Sequence, residues 1–326
     1  MRPPSLLHEI LSFPETPGDA DSFLVPVRPL EGVLVVDLTR YLPGPFASRE
    51  LLELGARVVR LEPPGGDPMR DLAPGWYEAL NAGKESVTCD LKLEPERGRS
   101  LCAEADVVIE GFRPGVAARL GVGPADLPET VVYCSITGFG LGGRHELRAG
   151  HDLNYLGWAG VLADTAPALP PIQIADLAAG SLRAVAKILA ALIERQKTGR
   201  GTHVVISMTH GSHRFAAHRL AGEPIPKLLT GGLACYGIYE TADGRHITVG
   251  ALETKFFARL CDLLGLPELA ARQFDPSAQT EIAAALAEAL AAKPLADWLE
   301  LFDREDVSVG PVATLTEAAV EFGQGG

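Results

Sequence analysis

Six short apolar runs separated by loops and helical spacing constrain this chain more than any other feature. They fall at residues 33–38, 57–61, 86–89, 107–109, 131–135 and 203–207. The first reads Val-Leu-Val-Val-Asp-Leu, apolar on both faces, as in strands of a parallel sheet covered on two sides. Helical spacing over 46–54 and 97–103, and an apolar stripe through Leu182, Val185, Ile188, Leu189 and Leu192, supply the crossovers. The alternation predicts an α/β fold, a Rossmann-like parallel sheet flanked by helices. Near residue 231 the pattern changes. Strand candidates at 235–241 and 246–251 flank Ala242-Asp243-Gly244, a hairpin signal, and helical runs follow at 256–264, 281–292 and 295–302. The expected organisation is an irregular extension over 1–27, a large domain over 28–207, a linker over 208–230, a smaller α+β domain over 231–316 and a tail over 317–326. No internal repeat is present.

The first loop, Thr39-Arg40-Tyr41-Leu42-Pro43-Gly44-Pro45, lacks the glycine spacing of a dinucleotide fingerprint, which argues against nicotinamide or flavin chemistry. A formal charge of −13 argues against nucleic acid and anionic membranes as partners. Any polyanionic ligand would need a local basic patch. Cys89, Cys102, Cys134, Cys235 and Cys261 show no paired spacing, so neither a metal site nor a disulfide framework is indicated. The amino terminus lacks the order of a signal peptide, and no uncharged apolar run reaches membrane-spanning length. A cytoplasmic protein is expected.

Two helix starts carry proton-transfer groups. Arg148-Ala149-Gly150-His151-Asp152-Leu153-Asn154-Tyr155 offers a histidine, the side chain whose charge changes near neutral pH. Farther on, a strand-like run over 171–175 turns into a helix over 176–195, and Asp176 stands at the turn. A carboxylate there serves equally as a plain N-cap or as an acid–base group. If the fold joins them, one acid and one base flank a single pocket, an arrangement suited to proton traffic at carbon.

These segments resemble the class III CoA-transferase (CaiB/BaiF) family, and within it the α-methylacyl-CoA racemases. Ala149 to Tyr155 matches that subgroup's histidine motif with Leu153 for isoleucine. Further similarity runs through Leu34-Val35-Val36-Asp37-Leu38-Thr39, Asp90-Leu91-Lys92, Glu110-Gly111-Phe112-Arg113-Pro114-Gly115 and Ile136-Thr137-Gly138-Phe139-Gly140. The resemblance implies inversion of the α-carbon of 2-methylacyl-CoA thioesters by cofactor-independent 1,1-proton transfer. His151 and Asp176 would be the acid–base pair, and Glu253 would orient His151, although a helix-start acid explains Glu253 equally well. It also implies an acyl-CoA substrate, held by Cys89, Asp90, Leu91, Lys92, Gly111, Phe112, Arg113, Arg119, Gly150, Asp152, Leu153, Asn154 and Tyr155. Lys92, Arg113 and Arg119 would meet phosphates, and Gly138, Gly140 and Gly150 are candidate N–H donors to the thioester oxygen. No metal or separate cofactor is implied. An intertwined homodimer is, with each site shared between the large domain of one subunit and the small domain of the other.

The chain departs from the family pattern at several positions. Pro63 and Ala82 stand where basic residues are usual, His210 and Thr230 where aspartate is, and relatives continue beyond Gly326. Two other readings follow: a CoA-transferase in which Asp176 attacks the thioester, and a non-catalytic CoA-binding relative. His151 discriminates, because transferases need no base at that position.

Overall fold

The computed structural model describes residues 28–322 except 223, 224 and 226. The extension expected over 1–27 lies outside those residues. The chain divides into two units between Phe215 and Ala216.

The first unit holds β1 (Leu34–Asp37), β2 (Arg57–Glu62), β3 (Glu85–Thr88), β4 (Val107–Glu110), β5 (Val132–Thr137) and β6 (His203–Ser207). Their order in the sheet is β3-β2-β1-β4-β5-β6, and every neighbouring pair is parallel. Side chains alternate between two buried faces. Val35, Ile109, Val132 and Ile206 pack with Leu51 and Ile188, whereas Val36, Val108 and Tyr133 pack with Cys102 and Leu127. Crossovers are made by α1 (Pro43–Glu53), α2 (Pro74–Asn81), α3 (Pro95–Ala103), α4 (Asp152–Ala159) and α5 (Arg183–Thr198), and α6 (Met208–Ala216) follows β6. The first three open on proline, whose fixed φ and missing N–H suit a first turn.

Two expectations fail here, and one helix carries no sequence signal. Residues 171–173 form no strand; a π-helix (Ala175–Leu182) follows them and runs directly into α5. Pro171 and the short apolar run imitate a strand end, but no ladder partner exists for them in the sheet. Residues 208–216, read as the start of a linker, are helical, because Met208, Gly211 and Ser212 bury one face. Helix α2 carries no buried residue and gave no periodic signal.

In the second unit β7 (Tyr236–Glu240) and β8 (His246–Gly250) form the expected antiparallel hairpin. A third strand, β9 (Val309–Pro311), pairs with β8. Three residues ending in proline leave no alternating pattern to read, and proline suits a sheet edge. Helices α7 (Thr254–Leu264), α8 (Gln279–Leu290) and α9 (Leu295–Phe302) bury Phe257, Leu260, Ile282, Leu286 and Trp298 with Ile247 and Val249. Of the expected tail, residues 317–322 are helical, in α10 (Leu315–Phe322). Among the described residues, no helix is long and apolar enough to cross a membrane.

Candidate active site

Strand order reverses between β1 and β4, so the loops leaving those strands diverge and open a crevice at their carboxyl ends. A buried charge cluster supports the β1 side. Asp37 accepts hydrogen bonds from the Thr39 N–H at 2.8 Å and from the Thr39 and Ser48 hydroxyls, each at 2.5 Å. Lys84 Nζ, fully buried, donates to the Pro45 carbonyl at 2.7 Å, Ser48 Oγ at 2.8 Å and Asn81 Oδ1 at 3.1 Å. Burial pushes the Lys84 ammonium down to about 8. Behind it, buried Arg60 donates to Glu62 at 2.5 Å, Asp67 at 2.9 Å and the Tyr77 hydroxyl at 2.9 Å. On the β4 side, the buried Glu110 carboxyl accepts the Phe112 N–H at 2.7 Å and anchors that loop.

His151 is the extended N-cap of α4. Its N–H donates to Asn154 Oδ1 at 3.0 Å and its carbonyl accepts the Asn154 N–H at 2.9 Å, which pins the main chain beneath an exposed imidazole. Asp176 lies in the first turn of the π-helix. Ser181 Oγ donates to the Asp176 carbonyl at 3.0 Å and to the Pro43 carbonyl at 2.6 Å, tying that helix to the start of α1. Burial, with the negative charge of Asp152 added, pushes the Asp176 carboxyl up to about 7.

The two residues line one cavity. It measures about 180 Å³ and is walled by Thr39, Arg40, Tyr41, Gly44, His151, Tyr155 and Asp176 among others. It shares Gly111, Ile136, Gly150, His151 and Tyr155 with a larger space of about 450 Å³ that also meets Arg113, Glu146, Arg148 and Asn154. A third space of about 80 Å³ brings Cys89, Asp90, Leu91 and Lys92 against Arg40, Pro63 and Phe112.

Several expected residues fall elsewhere or act otherwise. Arg119, in the single turn Val116–Arg119, lines none of these three cavities. Leu153 is exposed and Asp152 faces Asp176, so neither lines them. Gly138 and Gly150 serve as space: a Cβ on Gly138 would lie 2.4 Å from Tyr155 Cε1, and one on Gly150 would lie 2.8 Å away. The Tyr155 hydroxyl donates to the Gly150 carbonyl. Gly140 spends its N–H on Thr137 Oγ1 at 2.8 Å. His210 Nδ1 lies 2.7 Å from Ser207 Oγ. Glu253 is the N-cap of α7 in the second unit, exposed and without a side-chain cap bond.

Thr39, Arg40 and Tyr41 were missed as site residues. Tyr41 has φ of 67°, unusual for a bulky residue. The available signal was position: they follow the first strand of a doubly wound sheet, where such folds place their ligands.

The model of the CoA-transferase family III matches residues 30–322. The chain belongs to that family. It is 35% identical to the α-methylacyl-CoA racemase of Mus musculus over 308 residues, 89% of this chain and 79% of that protein. The succinyl-CoA:glutarate CoA-transferase of Homo sapiens is 33% identical over 337 residues, 93% of this chain and 76% of that one. Among solved structures, Rv3272 from M. tuberculosis superposes with a TM-score of 0.79 at 31% identity, covering 90% of this chain and 85% of that chain. A CAIB/BAIF family protein from Brucella suis gives 0.76 at 30%, covering 90% and 86%. Racemases and CoA-transferases thus both stand among its relatives.

Proposed function

We propose that the chain inverts the α-carbon of 2-methylacyl-CoA thioesters by proton transfer between two side chains. The supporting observation is that His151 and Asp176 wall one cavity, with the carboxyl held near neutrality. The thioester carbonyl acidifies the adjacent C–H. Neutral His151 removes that proton from one face, leaving an enolate, and protonated Asp176 delivers its proton to the other face. In the reverse direction Asp176 is the base and the His151 imidazolium the acid. Arg40, Lys92 and Arg113 are proposed to meet the CoA phosphates. Glu253 is proposed to orient His151 across a homodimer.

The family's other chemistry uses a carboxylate as nucleophile, and Asp176 is the candidate. His151 on the same cavity favours proton exchange, since nucleophilic attack needs no base at that position. The test is incubation of each 2-methylacyl-CoA epimer in deuterated water. Deuterium at the α-position with convergence to an epimer mixture supports inversion. Ping-pong transfer of CoA to a free carboxylate without α-exchange would replace it with the transferase reading.

A further inference from the structure

We infer that Asp152 is a positioning residue that joins the two proton-transfer groups, its main chain opening the helix that carries His151 and its carboxylate capping the helix that carries Asp176. Asp152 is the first residue of α4, directly after the His151 N-cap. Its Oδ1 accepts the Asp176 N–H at 2.9 Å, across 24 residues of sequence. This is a first-turn donor that a helix cannot satisfy internally. The π-helix lacks a cap of its own, because Ile174 occupies the capping position and makes no side-chain bond. A carboxylate on that donor also matches the positive end of the helix. Shifting either helix start therefore shifts the other.

The same contact has an electrostatic consequence. The groups around Asp176 are Asp152, His151 and Tyr155 from α4, and Arg40 and Tyr41 from the loop after β1. Of these, Asp152 adds negative charge beside the carboxyl and opposes its ionisation, reinforcing the effect of burial. Asp152 lines none of the three cavities, so its removal should leave CoA contacts intact.

The inference rests on the proposed role of Asp176, but one readout is independent of turnover. Infrared difference spectra against Asp176→Asn, taken on the full-length protein, isolate the protonated Asp176 carboxyl and its titration midpoint. Asp152→Asn keeps an acceptor oxygen and removes the charge; Asp152→Ala removes both. In both variants the midpoint should fall by about one pH unit. The activity profile should move to lower pH with it. Asp152→Ala should lower kcat on the order of 10²-fold while KM stays within about twofold, as misplacement of a reacting group does. Asp152→Asn should retain more activity than Asp152→Ala, and as the near-isosteric variant it carries the test if Asp152→Ala does not fold. An unchanged Asp176 midpoint in Asp152→Asn would overturn the inference, and so would a loss confined to KM. Absence of α-exchange in the wild type would defeat the racemase reading alone, since the infrared midpoint still decides the role of Asp152.

Discussion

The two ends of the crevice are built in opposite ways. At the His151–Asp176 end, helix starts are tied by Asn154, Asp152 and Ser181 to each other and to α1. At the Lys92 end, an exposed ammonium stands beside Pro63, and Asp90 is occupied in accepting the Lys92 N–H at 2.9 Å. The first end depends on position, where a small displacement is costly. The second depends on the sum of solvated charges, where each contributes little. Substitutions at the first should act abruptly, and those at the second gradually.

The largest effect is expected from His151→Ala and Asp176→Asn, each lowering turnover by roughly 10²–10⁴-fold. Loss of a capping-region side chain should cost only about 0.5–2 kcal/mol of stability. Exchange rates and thermal unfolding measured together separate the two effects, and near-normal turnover would remove that residue from the mechanism. In wild type, both directions should share one bell-shaped pH profile. Each uses a tautomer of the same singly protonated His151–Asp176 pair, so protonating both residues or neither stops both directions. Profiles that differ between epimers would contradict a shared proton.

Next comes the support beneath that end. Lys84→Met leaves Asp37 buried without its cation and should cost about 3–5 kcal/mol, read from denaturant unfolding. An unchanged midpoint would mean that the hydroxyls of Thr39 and Ser48 alone satisfy Asp37. Gly138→Ala should cost about 1–3 kcal/mol by displacing Tyr155. Gly157→Ala in α4 is the control, because a Cβ there meets nothing within 4 Å. If both behave alike, Tyr155 is not the constraint. The smallest change is expected at the far end: Lys92→Ala should weaken CoA by about 1 kcal/mol or less, with a shallower salt dependence. Calorimetry showing tight binding indifferent to salt would put the phosphates elsewhere.

Much of the large sheet was legible because parallel strands leave continuous apolar runs, and all six were readable within a residue or two. The motif around His151 and the acid at Asp176 were readable as helix openings. Their meeting in one cavity was implied by the family resemblance alone, since it depends on contacts across 24 residues of sequence. Asp152 was read as a ligand contact because sequence adjacency to His151 cannot reveal a bond to a distant helix. Arg40 was passed over because a lone arginine after a strand carries no spacing signal. It lines the same small space as Pro63. Strand β9 and helix α2 escaped for a simpler reason: neither has a buried stripe long enough to show a period.

The π-helix at Ala175–Leu182 adds a register problem that heredity must solve. Its wider turns spread the chain around the axis before α5 resumes ordinary geometry with Val185, Ile188 and Leu192 inward. If those turns tightened to α geometry with every residue kept, the buried stripe would hold its place. Asp176 would then swing by about 100° around the axis, away from the cavity it shares with His151. The fold would survive such a change and the chemistry would not. Descendants that lost the reaction without losing the architecture could therefore arise by substitutions that close the π-helix, with no change to any catalytic residue.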